Sequence, residues 1–293
     1  MKSIFRARDL LFLLVPLGLL ALAWLGSPAL LEYFSYRPEV DYQAILQTSP
    51  AYDLAETANI SFSYESADSP GLARLRETYR LDEVAGSGSR LEQAQNLLAW
   101  VHDLVPHDGS QPLPRQRDAI ALIEHAQSMG QGLNCRGLAI ILSESLLSVG
   151  IQSRIVELLP RDFSTDSHVV TVAYLPELER WAFFDPSYQA YFVDSAGQPL
   201  GPADIRASLR SGEALIANPE INYNGSPVDV DYPNYLSKNL YRFASPVYSG
   251  FGSDSSEDRK MVVLNPSGNH TGRGGLLDNS LVIHNSGVFW AKP

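Results

Sequence analysis

Apolar residues recur with helical spacing in the middle of the chain, which predicts amphipathic helices there. Ser89 and Glu92 stand three residues apart at the start of the first such run, the pattern of a capping box. The run continues to about Val105, and Pro106 ends it because proline cannot continue a helix. A second amphipathic helix is predicted over residues 118–128.

A third helix is predicted from about Cys135 to Val149, with Gly150 as its C-terminal cap because glycine readily adopts the left-handed conformation. Shorter runs flank these helices. Alternating or β-branched residues predict strands at 59–64, 155–158, 169–174, 181–184, 191–193, 261–264 and 281–290. Two further short helices are predicted over 71–79 and 202–209.

The strands over 169–174 and 181–184 are predicted to form an antiparallel hairpin centred near Pro176. In that register His168 lies opposite Asp185, and directly opposed residues share one face with Cβ atoms about 5 Å apart. We expect the third helix to cover the apolar face of this hairpin, since such a face must be buried. The residues of that face are Val170, Val172, Trp181 and Phe183.

The first 31 residues have the pattern of a membrane segment. Lys2, Arg6 and Arg8 precede a run from Leu10 to Leu31 that holds no charged residue. Such a run reaches about 33 Å as a helix, enough to cross a hydrocarbon core of about 30 Å. The basic flank predicts that the rest of the chain lies outside the cytoplasm. A cleaved signal peptide with its hydrophobic stretch over 10–26 is the alternative.

The amino-acid composition bears on which partners the protein binds and on the role of its cysteine. The 293 residues include 33 acidic and 22 basic ones, for a formal net charge of -11, and a negative surface repels nucleic acid. There is one cysteine, so no intramolecular disulfide can form. In an exported protein an exposed thiol would be oxidised. Cys135 is therefore either buried and inert or kept for its reactivity.

The candidate chemistry combines Cys135, His168 and Asp185. A thiol at a helix N-terminus feels the positive end of the helix dipole, which lowers its pKa, and a neighbouring histidine lowers it further. The three side chains then supply a nucleophile, a base and an acid that orients the base.

Donors for an oxyanion are expected near the same helix start. The backbone N–H groups of Cys135 and Arg136 have no partner inside the helix. Asn134 and Gln131 are the nearest side-chain candidates for the same task. The Arg136 side chain is predicted to be a solvated charge or one at the edge of the substrate site.

Residues 130–139, Gly-Gln-Gly-Leu-Asn-Cys-Arg-Gly-Leu-Ala, resemble the nucleophile region of bacterial transglutaminase-like domains. The resemblance covers about residues 89–210 and implies an α+β fold of papain/transglutaminase type, with the nucleophile at a helix N-terminus packed on an antiparallel sheet. It implies Cys135 as nucleophile, His168 as base and Asp185 as orienter. Its further matches are Val149-Gly150-Ile151, Arg154, Ser167-His168-Val169, Trp181 and Asp185-Pro186.

One feature departs from the animal transglutaminases, which carry Gln-Cys-Trp at the nucleophile. Here residues 134–136 read Asn-Cys-Arg, so the resemblance favours a peptidase over a cross-linking enzyme.

Four parts of the chain are predicted: a signal-anchor or transmembrane segment (1–31), a connector with N-terminal elements (32–88), the catalytic core (89–218) and a loop-rich β extension (219–293).

The leading functional hypothesis is a thiol-dependent enzyme that hydrolyses or transfers acyl groups of peptide or protein amides at the outer face of a membrane. The alternatives are a non-catalytic module that binds an envelope partner, and acyl transfer from a small thioester. No metal or organic cofactor is implied. We interpret His102, His107 and His125 as surface or loop residues, because none has the spacing of a metal ligand set.

Overall fold

The computed structural model describes residues 40–162, 166–228, 231–267 and 280–293. The chain divides into two compact units, Met1–Asp41 and Tyr42–Pro293. The predicted membrane segment, residues 1–31, lies outside the described residues. Among the residues that are described, no helix is long and apolar enough to span a bilayer.

Nine helices occur in the described ranges. They are α1 (Tyr42–Gln47), α2 (Pro70–Tyr79), α3 (Leu81–Ala85), α4 (Arg90–Leu104), α5 (Ala119–Met129), α6 (Cys135–Ser148), α7 (Pro202–Ser211), α8 (Tyr232–Asn239) and α9 (Ser286–Phe289). The predicted capping box at Ser89 and Glu92 is confirmed at the start of α4. Gly150 has φ 79° just beyond α6, as its predicted capping role requires.

The main sheet has six strands in the order β10-β9-β7-β2-β3-β4, and all neighbours in it are antiparallel except β10 and β9. Two pairs of two-residue strands lie outside it, β1 with β8 and β5 with β6. The strands are β1 (Ser63–Tyr64), β2 (Ser153–Leu159), β3 (His168–Leu175), β4 (Arg180–Phe184), β5 (Phe192–Val193), β6 (Ile216–Ala217), β7 (Arg242–Pro246), β8 (Tyr248–Ser249), β9 (Met261–Leu264) and β10 (Ser280–Ile283).

The register of the β3–β4 hairpin differs from the prediction. Val172 pairs with Phe183, not with Trp181, so the turn is centred between Glu177 and Leu178. Glu179 adopts φ 51° at the end of this turn, and the loop between the paired residues Leu175 and Arg180 consists of residues 176–179. Because side chains alternate with period two, a shift of two residues leaves every side chain on its predicted face.

The prediction that the third helix covers Val170 and Val172 is wrong. Helix α6 packs on the opposite face of β3, where the Thr171 hydroxyl donates to the carbonyl oxygen of Ala139 at 2.9 Å. Every residue of β3 is buried, so both faces are apolar and the sequence pattern could not tell which face the helix covers.

The two larger apolar cores of the described residues lie one on each face of the sheet. Helices α2 to α6 form the first with the face that carries Ala173 and Phe184. The second lies against the face that carries Val170 and Phe183, and elements after residue 200 supply much of its cover. The side chains that these later elements contribute are Ile205, Leu209, Tyr232, Leu236, Leu240, Phe243 and Phe289.

The C-terminal quarter is more ordered than its composition predicts. The strand predicted over 261–264 is confirmed as β9. The strand predicted over 281–290 is confirmed only in part, because β10 ends at Ile283 and α9 follows it. The sequence pattern did not reveal α8 or β7. Strands β7, β9 and β10 extend the same sheet as β2 to β4, so the predicted boundary at 219 falls within one unit.

Candidate active site

Cys135 is the first residue of α6 and is half-buried. Asn134 caps the helix, and its side chain accepts a hydrogen bond from the N–H of Gly137 at 3.2 Å. The first backbone N–H groups of a helix have no intrahelical acceptor and carry the positive end of the dipole. The thiol therefore stands where a negative charge is stabilised.

His168 and Asp185 meet at the start of β3. His168 is the first residue of that strand, and Asp185 directly follows β4. The Nε2 atom of His168 lies 2.6 Å from Oδ2 of Asp185, and both side chains are buried. In the observed register Asp185 is the diagonal neighbour of His168 and not its direct partner. The bond forms because the two residues remain on the same face.

Asp185 has further partners that hold its carboxylate in place. The Tyr232 hydroxyl donates to Oδ2 at 2.5 Å, and the N–H of Ser187 donates to Oδ1 at 2.9 Å. Burial raises the pKa of Asp185, but the charge and hydrogen bond of His168, with the Tyr232 and Ser187 bonds, bring it below its usual value. Asp185 is therefore ionised at neutral pH.

The pKa values of the thiol and the imidazole move in opposite directions. Burial raises the pKa of Cys135, but contacts with His107 and His168, the charge of His168 and the N–H of Val169 lower it to about 6. Burial lowers the pKa of His168, but the charge and hydrogen bond of Asp185 and the contact with Cys135 raise it to about 10. At neutral pH the favoured state is a thiolate beside an imidazolium.

This state can attack an electrophilic carbon. The thiolate is the nucleophilic form of cysteine, and the imidazolium can give a proton to a leaving group. Nε2 of His168 is held by Asp185, so Nδ1 is the ring nitrogen that is left for Cys135. The three side chains are therefore placed as the nucleophile, base and orienting acid of a catalytic triad would have to be.

Aromatic side chains surround His168, and one of them comes from beyond the predicted core. The ring centroid of Tyr235 lies 5.4 Å from that of the imidazole, and that of Tyr188 lies 6.2 Å away, both edge-on. Tyr235 and Tyr232 belong to α8, within the predicted extension 219–293. The residues that enclose the imidazole and hold Asp185 thus come partly from a segment whose role the sequence did not indicate.

The three other candidate residues are engaged in different ways. The Asn134 amide donates to the carbonyl oxygen of Gln111 at 2.9 Å while its oxygen caps α6, so both ends of the side chain have partners. Gln131 is exposed. Of the two alternatives predicted for Arg136, the solvated charge is wrong, because Nη1 lies 2.6 Å from Glu157 and Nη2 lies 2.6 Å from Asp254. The other, a charge at the edge of the substrate site, stays a prediction.

Two of the three histidines interpreted as surface or loop residues belong to the surroundings of the site. His102 is buried, with Nδ1 3.0 Å from the carbonyl oxygen of Pro186 and Nε2 2.8 Å from Oδ1 of Asn222. His107 lies in a loop but contacts Cys135. The helical pattern predicted that only one side of α4 is buried. It could not show that later segments of the chain would bury His102 on α4 as well.

Residues 78–186 match the model of the transglutaminase-like superfamily. The matched stretch runs from the end of α2 to the proline after Asp185, and it contains Cys135, His168 and Asp185. These residues form a transglutaminase-like domain, as the resemblance in the sequence predicted. A search of the curated proteins found no match.

Parts of this chain are similar to solved structures at low sequence identity. A candidate cysteine protease from Cytophaga hutchinsonii is 16% identical, with 39% of this chain and 37% of that chain covered and a TM-score of 0.32. A candidate protease from Parabacteroides distasonis is 16% identical, with 44% and 30% covered and a TM-score of 0.26. Red sea bream transglutaminase is 13% identical, with 70% and 38% covered and a TM-score of 0.33. The chain thus spans well under half the length of each.

Proposed function

We propose that this chain, which carries a transglutaminase-like domain over residues 78–186, is a thiol-dependent enzyme that acts on peptide or protein amide bonds. The observation that carries the proposal is the buried His168–Asp185 bond of 2.6 Å beside a thiol whose pKa is lowered to about 6. A buried structural cysteine needs neither a lowered pKa nor a charged partner.

The reaction passes through an acyl-thioester on Cys135. The thiolate attacks the amide carbonyl carbon, a C–S bond forms, and the carbonyl oxygen becomes an oxyanion near the N–H groups at the start of α6. The imidazolium of His168 then protonates the leaving amine as the C–N bond breaks. Neutral His168 next accepts a proton from the incoming water or amine, which attacks the thioester and releases Cys135.

We propose hydrolysis over cross-linking. Residues 134–136 read Asn-Cys-Arg in place of the Gln-Cys-Trp of animal transglutaminases. In addition, the Arg136 guanidinium is paired with Asp254 and Glu157, so it is not free to contact an acceptor. Water can accept the acyl group without a dedicated binding site, so hydrolysis is the proposed outcome.

The test is the fate of the acyl group. Purified enzyme would be given a library of peptides with and without an added primary amine, and products would be identified by mass spectrometry, with Cys135→Ala as the matched control. The proposal predicts cleaved peptides or free carboxylates with the wild type only. Amide products that require the added amine would support transfer. No product with either acceptor, together with retained peptide binding, would support a non-catalytic module.

We also propose that the enzyme works outside the cytoplasm, anchored by the uncharged run 10–31 that follows three basic residues. The location would be periplasmic or extracellular, and the substrate would be an envelope peptide or protein. Fractionation of cells that make the full chain tests this. An anchored form pellets with membranes, resists high salt and needs detergent. A soluble mature form that begins near Trp24 or Leu30 would instead indicate a cleaved signal peptide.

A further inference from the structure

His107 approaches Cys135 from a different segment than His168 does. It follows α4 in a stretch that runs parallel to residues just before the nucleophile: the N–H of Asp108 donates to Leu133 at 2.8 Å, and the N–H of Leu133 donates to Pro106 at 3.0 Å. Gly132 permits this approach, because a Cβ there would lie 2.5 Å from the Pro106 carbonyl oxygen. The backbone thus places His107 beside the start of α6.

The imidazole of His107 has one occupied and one unoccupied nitrogen. Nδ1 lies 3.0 Å from the Tyr223 hydroxyl, and the two rings meet edge-on with centroids 5.5 Å apart. Nε2 is buried, and nothing in the described part of the chain forms a hydrogen bond with it. Yet the contact of this ring with Cys135 contributes to the lowered pKa of the thiol. A buried ring nitrogen that has no nitrogen or oxygen partner, in a ring that contacts the reacting sulfur, is suited to a polar group that arrives with the substrate.

We propose that His107 is the side-chain donor of the oxyanion hole, with Nε2–H aimed at the oxygen that becomes negative when Cys135 attacks a carbonyl. The inference deepens the proposed function and rests on it. The second donor is the backbone N–H of Cys135, which has no acceptor inside its helix. Tyr223 is a positioning residue: its hydroxyl donates to Nδ1 of His107, and this selects the tautomer that carries the proton on Nε2.

The step balances without any added group. The thiolate electron pair forms the C–S bond, and the π electrons of the carbonyl move to its oxygen, which accepts hydrogen bonds from Nε2–H of His107 and from the N–H of Cys135. No proton leaves His107. When the oxyanion collapses, the C=O bond forms again and the C–N or C–O bond to the leaving group breaks. His168 supplies a proton to the departing amine, so the two histidines have separate tasks.

The C-terminal segment supports this geometry. Residues 223–226 form a tight turn in which Asn224 and Gly225 have φ 50° and 78°, as an Asn-Gly type I′ turn requires. The Asn224 side chain accepts from the N–H of His107 at 2.8 Å and donates to its carbonyl oxygen at 3.0 Å. One turn therefore holds the backbone of His107 through Asn224 and its ring through Tyr223.

The test compares two reactions of the same thiolate. Iodoacetamide alkylates sulfur without forming an oxyanion, whereas acylation by p-nitrophenyl acetate passes through one. Both rates would be measured at about pH 9.5, above the unperturbed thiol pKa of about 8.5, so that thiolate predominates in every variant. The variants are His107→Phe, His107→Gln, which restores an N–H donor, and Tyr223→Phe. His125→Gln, on α5, is the matched control.

We expect alkylation rates within about twofold of wild type in all variants. Acylation should fall about 10²–10³-fold in His107→Phe, as for the loss of one oxyanion donor, by less in Tyr223→Phe, and recover in part in His107→Gln. Unchanged acylation in His107→Phe, or equal losses in both reactions, would overturn the proposal. If His107→Phe does not fold, Tyr223→Phe and His107→Gln decide the question in the same assay.

The assay separates this inference from the proposed function, because p-nitrophenyl acetate acylates an activated thiol whatever its natural substrate is. A wild type that is acylated through His107 but cleaves or transfers no peptide amide would refute the proposed function and leave the oxyanion donor standing. An amide hydrolase whose acylation is indifferent to His107 would do the reverse.

Discussion

Two buried charged clusters begin at adjacent residues of α6. In the first cluster Cys135 contacts His168, which is bonded to Asp185. In the second, Arg136 forms ion pairs with Glu157 and Asp254. Asp254 also lies 3.2 Å from Arg117 and within 2.5 Å of Arg259. Both clusters combine burial with short ionic contacts, and both shift the pKa values of their members.

The clusters differ in what their charges can do near neutral pH. Burial lowers the pKa of Arg136, but its contacts with Asp254 and Glu157 raise it above its usual value. Burial raises the pKa of Asp254, but the arginines lower it, so both groups stay charged and no proton moves. The cysteine cluster instead has pKa values of about 6 and about 10, on either side of neutral pH. A shifted pKa marks a reactive site only where a proton can be exchanged at working pH.

The largest expected effect is on turnover, from Asp185→Asn. The carboxylate accepts from His168 at 2.6 Å, and the amide would remove the charge and favour the wrong tautomer. We expect turnover to fall about 10²–10⁴-fold with the fold retained, as for other triads. Turnover and melting temperature should be measured together. Cys135→Ala with Asp185→Asn should be no worse than Cys135→Ala alone, because members of one catalytic unit are not additive.

If Asp185→Asn unfolds the protein while the folded fraction keeps full activity, Asp185 is structural and the mechanism reduces to a Cys-His pair. That result would also remove the contrast between the two clusters, since both would then serve only the fold.

The next effect is on stability, from Asp254→Asn. This change leaves Arg136 and its neighbours without their shared carboxylate, and loss of one partner of a buried ion pair costs about 3–5 kcal/mol. Because Arg117 and Arg259 are partly exposed, we expect the lower end of this range, measured by urea unfolding. Iodoacetamide labelling of Cys135 in the folded variant should keep the pH midpoint of the wild type. A large change in that midpoint would mean that the clusters are coupled.

A change of about tenfold is expected from pH alone. The thiolate is lost below the lowered thiol pKa of about 6, so acylation by p-nitrophenyl acetate at about pH 5 should be roughly a tenth of its plateau. Toward the raised pKa of about 10, His168 loses its proton, so amide turnover should decline there because the leaving amine needs that proton. An acid limb near the unperturbed thiol value of about 8.5 would contradict the activation of Cys135.

The smallest effect is expected from Tyr232→Phe, which removes the hydroxyl that donates to Asp185 at 2.5 Å. A hydrogen bond to a charged group contributes about 1.5–3 kcal/mol, but only the part that differs in the transition state changes the rate. We expect turnover to fall about three- to tenfold. Tyr174→Phe, on β3 and away from the site, is the matched control. Equal effects of the two variants would mean that Tyr232 acts only through packing.

The sequence predicted the part of the site that α6 and the β3–β4 hairpin form better than the part that the C-terminal segment forms. Local signals sufficed for α4, α6 and the β3–β4 hairpin: a capping box, a left-handed glycine and alternating residues. The hairpin register was missed by two residues because the loop conformation at Glu179 leaves no clear signal in its sequence. The faces of β3 could not be distinguished because both are apolar.

The side built by the C-terminal segment was not predicted, and the reason is physical. Tyr232, Tyr223 and Asn224 reach the site through contacts that span 47 to 117 residues of sequence. No local periodicity encodes contacts at such a separation. The Asn224-Gly225 pair is a local signal of a type I′ turn, but it does not reveal which residue the turn will hold.

The most direct test of the central claim is the pH dependence of Cys135 alkylation by iodoacetamide, in the wild type and in His168→Ala. We expect a wild-type midpoint at about pH 6 and a shift toward the unperturbed value of about 8.5 when the imidazole is removed. Melting temperatures would show that both proteins are folded at the pH values used. Two midpoints near the unperturbed value, or two equal midpoints, would contradict the claim that His168 holds Cys135 as a thiolate.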